Sequence, residues 1–309
     1  MKPRTCCLLL GLMSGFAAAT PVQAQQAPAV EVLAEYPAGN FLENLDVLPD
    51  GRVVFTSYFA KEIEVLEGGK ARTFATLSAH PVSILGLDRG FLVAAHGQTF
   101  VSGAGFVETQ MFLLLDKDGR ETGSFKAPQA RFLNGMIRHG ADEVLIADSI
   151  AGTIWRVNIK TQTITPWLKD DALGRDPAVK EFRPGANGLK RQGNTLIVSN
   201  SSYGTLSAID VDAAGAPSGA LKLLARVERI DDFVIGASGE IVYATHGDTL
   251  MRRSKDGATS VLLQSGCDGC TAVTMVNGAG GAKALIVLTT GGFSAGRKEP
   301  ARVLRLPYR

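Results

Sequence analysis

Beyond its first two dozen residues the chain lacks any apolar run near the roughly 20 residues needed to cross a bilayer, which excludes a membrane anchor in the mature protein. The one early run, from Cys7 to Ala19, is too short to span. It follows Lys2 and Arg4 and gives way to Val22-Gln23-Ala24, with small residues at the two positions a signal peptidase reads before the polar Gln25-Gln26. Residues 1–24 therefore read as a signal peptide, and residues 25–309 as a periplasmic or secreted domain. Net charge is also missing. Removing Lys2 and Arg4 leaves 30 basic residues (32 minus 2) against 30 acidic ones, which argues against a nucleic-acid partner.

Cysteine is scarce. Of four, Cys6 and Cys7 leave with the leader, and no lipidation box precedes either. Cys267 and Cys270 remain as a pair in an oxidising compartment, where a local disulfide is expected. Their Cys-Asp-Gly-Cys spacing also suits a redox motif or half of a zinc site, but neither a helix pattern nor a second pair accompanies it. The chain shows no phosphate loop and no dinucleotide fingerprint opening a helix; Gly103-Ala104-Gly105 is a weak echo in a loop.

What the chain does have is repetition. Short β-prone runs ending in polar residues recur as Val53–Ser57, Phe91–His96, Val144–Ser149, Leu196–Ser201, Ile241–His246 and Leu285–Thr290. Most follow a turn signal such as Pro49-Asp50-Gly51 or Gln192-Gly193-Asn194, with another apolar run upstream and a third strand downstream, as in Gly152–Val157. A fourth, weaker run completes a four-stranded meander. First strands start near Glu43, Ser83, Asn134, Asn187, Asp231 and Thr271, at spacings of 40, 51, 53, 44 and 40 residues. Such periods predict an all-β, six-bladed propeller of four-stranded antiparallel blades. The last copy has three strands and an orphan strand, Val30–Ala34, precedes the first. The orphan should join Arg302–Leu306 and close the ring without a free edge. Two blades carry insertions, Gly97–Glu108 and Lys169–Gly185, which either cover a site or decorate the surface.

In a propeller the first strands line a central channel, so their starts converge on one rim. Glu43, Asn134, Asn187 and Asp231 occupy those starts. Two carboxylates and two amides on one axis offer an oxygen-rich site to one divalent cation. Calcium fits best, with zinc or magnesium as alternatives. The competing reading is that Asn and Asp merely cap turns before strands. Second-strand ends return to the same rim further out, bringing His96, Asp148, Ser149, Asn200, Ser201 and His246. Two histidines there suit proton transfer near neutral pH, or each is a hydrogen-bonded structural residue. His80 and His139 fall in turn segments and receive no role.

With these residues in phase, the chain resembles the gluconolactonase, regucalcin and drug-responsive lactonase family: Glu43, the Asn134-Gly135 pair, the Asn187-Gly188-Leu189 run and Asp231 recur at blade spacing over essentially the whole mature chain. The resemblance implies that Glu43, Asn187 and Asp231 ligate the metal, that Asn134 contacts substrate or the ion, and that Arg131 is the substrate arginine. It departs from the family pattern where Leu133 is an extra residue before Asn134, and where Asp232 replaces the glycine that usually follows the metal-binding aspartate. The expected function is a monomeric, metal-dependent hydrolase of a lactone or related ester, with Asp231, His246 and His96 as catalytic candidates and a small molecule as partner. The rivals are a binding propeller with a structural ion and a strictosidine-synthase-like enzyme on the same scaffold.

Overall fold

A computed structural model describes residues 30–100, 109–278 and 281–308. The expected leader and most of the first insertion lie outside these residues. The described chain forms six four-stranded antiparallel sheets arranged as a propeller. Blade one runs outward through Leu42–Val47, Val53–Ser57, Glu62–Glu67 and Lys70–Thr76. Blades two to five repeat this order from the inner strands His80–Leu87, Leu133–Arg138, Ala186–Gln192 and Phe233–Ile235. No described helix is long and apolar enough to cross a membrane.

Blade six closes the ring as the repeat count requires. Its inner strand is Cys270–Asn277, followed by Lys283–Thr289 and Ala301–Tyr308, and Glu31–Tyr36 supplies the outer strand. Glu31 pairs with Arg305 and Tyr36 with Ala301, with one bulge between Val32 and Ala34. Joining the two ends of the chain in one sheet covers the edge that Ala301–Tyr308 would otherwise expose.

Second strands such as Val53–Ser57 are buried along their whole length, because neighbouring blades cover both faces. This is why they read as continuous apolar runs rather than alternating ones. The core is accordingly a circle of interfaces between blades. Val54, Ile63, Ile84 and Val93 join blades one and two, and Leu42, Phe55, Ile286 and Val303 join blades six and one. Each such side chain contributes about 1.5–3 kcal/mol by leaving water. Outer strands have only one neighbour; Pro217–Arg226 is largely exposed.

Cys267 and Cys270 form the expected disulfide at the entry to the inner strand of blade six, both fully buried. In this bonded form neither sulfur is free to bind zinc.

Candidate functional site

At the start of the inner strands the ladder slips. The register shifts between Leu42 and Leu45, between Leu133 and Met136, and between Ala186 and Leu189. Glu43, Asn134 and Asn187 lie within these three bulges. A bulge bends the strand and re-aims its side chains, here toward the channel mouth. The glycines that follow have a steric reason. A Cβ on Gly135 would strike the Asn187 carbonyl, and one on Gly188 would strike the Asp232 carboxylate. Inner strands crowd together at the axis, and glycine allows the approach.

The three bulged residues meet at the rim, where Asp231, just ahead of the inner strand of blade five, joins them through Asn187. All four are buried: 9%, 1%, 1% and 2% exposed. Asn187 donates from Nδ2 to Asp231 Oδ1 at 2.5 Å and to Ser201 Oγ at 3.0 Å. Asn134 Nδ2 lies 3.4 Å from Ser149 Oγ, while its Oδ1 has no protein partner. Glu43 Oε2 and Asp231 Oδ2 likewise accept no hydrogen bond. His246 Nε2 sits 3.0 Å from Asp231 Oδ2, close enough to pair electrostatically but off the hydrogen-bonding direction.

Burial drives the electrostatics. It raises the Glu43 carboxyl well above its ordinary range, and the charges of Asp231 and Asp232 push the same way. Asp231 is also raised by burial, against the opposing pull of His246. Two acids that resist ionisation, each with an oxygen lacking a donor, are what a cation between them would relieve. Among the described residues no three His, Cys, Asp or Glu side chains group as a metal cluster, so a cation here would have to draw on the two carboxylates and on amide oxygens together. Such a set suits a hard cation better than zinc. For Asn187 to join as a ligand its amide must turn its oxygen inward.

His246 adopts a left-handed backbone at φ +56°, rare for a residue with a side chain. Its amide donates to the carbonyl of Cys270, next to the disulfide. This local strain holds the imidazole against Asp231. Nothing in the sequence around Thr245-His246-Gly247 announces it.

His96 is in a different situation from the one expected. It is fully buried, meets the Tyr58 hydroxyl at 3.0 Å through Nδ1, and burial pulls its pKa down to about 3. It lines the cavity as a neutral ring and takes up no proton near pH 7. His80, expected in a turn, opens the inner strand of blade two; its Nδ1 lies 3.0 Å from the Tyr58 carbonyl, and its ring stacks on Tyr58. Asp148 is absorbed by structure, accepting from the amides of Arg131, Phe132 and Ala151 and from Trp155 Nε1. Asn200 holds the second insertion through the carbonyls of Ala172 and Gly174.

Arg131 does not reach the site. It is exposed and outside the cavity lining, whereas Phe132 faces inward. Leu133, the extra residue, opens the inner strand and is buried in the core between blades two and three, while Arg131 lies ahead of the strand, gives its amide to Asp148 Oδ2 and leaves its side chain exposed. The arginines at the cavity are Arg183 and Arg229. Asp232 is matched by a neighbour, since Lys190 Nζ lies 2.6 Å from its Oδ1. The charge added by replacing glycine is thus largely neutralised.

Above the acidic floor stands a cavity of about 370 Å³. Phe41, Tyr58, Phe100, Phe132, Phe182 and Phe293 form its walls, with Glu43, Asn134, Ser201 and His246 at its polar positions. Phe100 comes from the first insertion and Phe182 from the second, so both insertions contribute to the site. Contrary to the expectation that the chain carries no nucleophile elbow, Gly292-Phe293-Ser294-Ala295-Gly296 has the Gly-x-Ser-x-Gly spacing and reaches the cavity rim. It forms a one-turn 3-10 segment rather than a strand-to-helix elbow, and Ser294 is exposed with no described hydrogen bond to a base. That geometry does not activate a serine.

No protein-family model matches the chain, and no curated protein sequence does. Solved structures do. A luciferin-regenerating enzyme superposes with TM-score 0.66 at 14% identity, covering 91% of this chain and 95% of its own. A calcium-binding regucalcin of Agrobacterium tumefaciens gives 0.62 at 17% identity, covering 91% and 96%. A proposed gluconolactonase gives 0.61 at 13% identity, covering 92% and 93%. The chain shares their propeller fold along nearly its whole length.

Proposed function

We propose that this protein is an exported, metal-dependent hydrolase of a lactone or related ester. One observation carries the reading: Glu43 and Asn134 each bring a buried oxygen without a donor to one cavity, and Asp231 Oδ2, likewise without a hydrogen bond, lies against the His246 that lines it. Glu43, Asp231 and a turned Asn187 would hold a divalent cation, calcium by preference, with Asn134 beside it. When bound, the cation supplies Lewis-acid polarisation of the substrate carbonyl. Asn134 orients the substrate. Asp231, whose Oδ2 lies 3.0 Å from His246 Nε2, steadies the positive imidazole as it takes a proton from the water that adds to the carbonyl, and the imidazole returns that proton to the alkoxide that leaves when the acyl–oxygen bond breaks. The aromatic walls exclude bulk water, which strengthens these interactions. The disulfide supports export to an oxidising compartment.

The hydrogen bonds from Asn187 to Asp231 and Ser201 favour a second reading, in which the floor is already settled and the funnel only binds a small molecule. Calorimetry and thermal unfolding with calcium, magnesium or zinc, followed by a screen of lactones and aryl esters, separate the two. At a cation concentration 100 times Kd the stabilisation is about 2.7 kcal/mol. Asp231→Ala should abolish both that gain and turnover. If no cation binds, the metal assignment fails; a cation bound without turnover supports the binding propeller.

A further inference from the structure

The cavity is lopsided in a way the acidic floor does not explain. Six aromatic rings face it, packed edge to face or tilted: Phe41 meets Phe100 at 5.4 Å and Phe293 at 5.3 Å between centroids, and Phe132 meets Phe182 at 5.3 Å. Such a wall is preformed. Arg175 fixes the second insertion by donating to the carbonyls of Arg183 and Glu181, and its guanidinium lies 5.0 Å from the Phe182 ring centre. A polyhydroxylated body placed here would lose water at most of its hydroxyls and find few partners. A flat apolar body would fill it.

At one side the wall gives way to cations. Arg183, Arg229 and Ser201 line the cavity and also a second, more open hollow of about 430 Å³, to which Arg226 adds a third guanidinium. Two acids stand near. Glu181 is 3.7 Å from Arg183 but 82% exposed, a pair that a ligand displaces easily, and Glu228 lines the open hollow. A third acid, Asp248, feels the charge of Arg229 but is paired with Arg297, and the left-handed backbone of Arg229, φ +53°, fixes where its side chain leaves the rim.

Resting on the hydrolase reading of the floor, we propose that the substrate has two parts: an aromatic or bulky apolar body seated among the phenylalanines, and an anionic group, such as a carboxylate, directed to Arg183 and Arg229. The reacting carbonyl then lies between them, over Glu43 and Asp231. A small sugar lactone lacks both parts.

The test uses binding, so it does not depend on turnover. Three probes are titrated calorimetrically into the mature protein: 3-phenylpropionate carries both parts, 3-phenylpropanamide keeps the body without the charge, and gluconate keeps the charge on a polyol. Phenylpropionate should bind best, with the amide about three- to fivefold weaker, the range of an exposed ion pair. Gluconate should be the weakest. Arg183→Gln/Arg229→Gln should erase the preference for acid over amide while leaving amide affinity unchanged, which also shows that the variant is folded. Phe293→Ala should weaken acid and amide alike. Gluconate binding as tightly as phenylpropionate, no binding of phenylpropionate at millimolar concentration, or an arginine variant that keeps the acid preference would each overturn the proposal. If phenylpropionate behaves as expected and no lactone or aryl ester is hydrolysed, the hydrolase reading falls and the two-part pocket stands.

Discussion

Replacing Lys190 with methionine keeps most of the side chain's volume and removes the only charge facing Asp232 at ion-pair distance among the described residues. Asp232 is 4% exposed and Lys190 30%, so the group left behind is the buried one. An exposed pair is worth up to about 1 kcal/mol, whereas stranding a buried charge costs about 3–5 kcal/mol. With its ammonium partly in water, this pair belongs near the lower end of the second range, about 3 kcal/mol. For a domain of this size that corresponds to a fall in Tm of about 6 °C, at about 2 °C per kcal/mol. Lys190→Met/Asp232→Asn strands no charge and should recover most of the loss. Urea and thermal unfolding of the wild type, both single variants and the double variant form the cycle. A further consequence concerns the floor. Asp232 already helps to raise the Glu43 carboxyl, so an unpaired Asp232 should strengthen cation binding and enlarge the cation-induced rise in Tm. A Lys190→Met variant within 1 kcal/mol of wild type, or a double variant no more stable than the single one, would refute the argument that Asp232 depends on this lysine.

Asn134→Ala removes an oxygen from the cavity but no charge; turnover should fall far more than cation affinity, as kinetics and calorimetry on one preparation will show. His96, held neutral with a pKa of about 3, binds its proton more weakly in the folded state than the ordinary 6.5, so its stabilising contribution is complete above pH 6.5 and is lost as pH falls toward 3. Each pH unit in that window costs about 1.4 kcal/mol. The His96 ring signals should not titrate by NMR between pH 8 and 5, and His96→Gln should flatten the acid limb of the stability profile. Converting Cys267 and Cys270 to alanine opens a very small loop and should cost about 2 kcal/mol in urea unfolding, by the chain-entropy estimate; mass mapping of the unreduced protein should find the two cysteines joined.

The sequence by itself determined the architecture. Strand runs such as Val144–Ala147 and turn signals such as Pro49-Asp50-Gly51 are local features, and their spacing counts six blades without any knowledge of contacts. It also called for the orphan run Val30–Ala34 to close the ring, because blade six is one strand short, and, with Cys6 and Cys7 in the expected leader, left Cys267 and Cys270 as a pair. The convergence of Glu43, Asn134, Asn187 and Asp231 was legible for the same reason: residues in phase with the repeat must meet at the axis. Only the tertiary structure decided what lies out of phase. Next to the extra residue Leu133, Arg131 is exposed and Phe132 lines the cavity. Burial made His96 a neutral wall residue, while a left-handed backbone brought His246 to Asp231. The aromatic cavity was assembled from Phe41, Phe132 and Phe293 on different blades with Phe100 and Phe182 from insertions. Lys190 found Asp232 across 42 positions of chain. Period and propensity are carried by neighbours in the chain, whereas desolvation, charge pairing and cavity shape depend on neighbours in space.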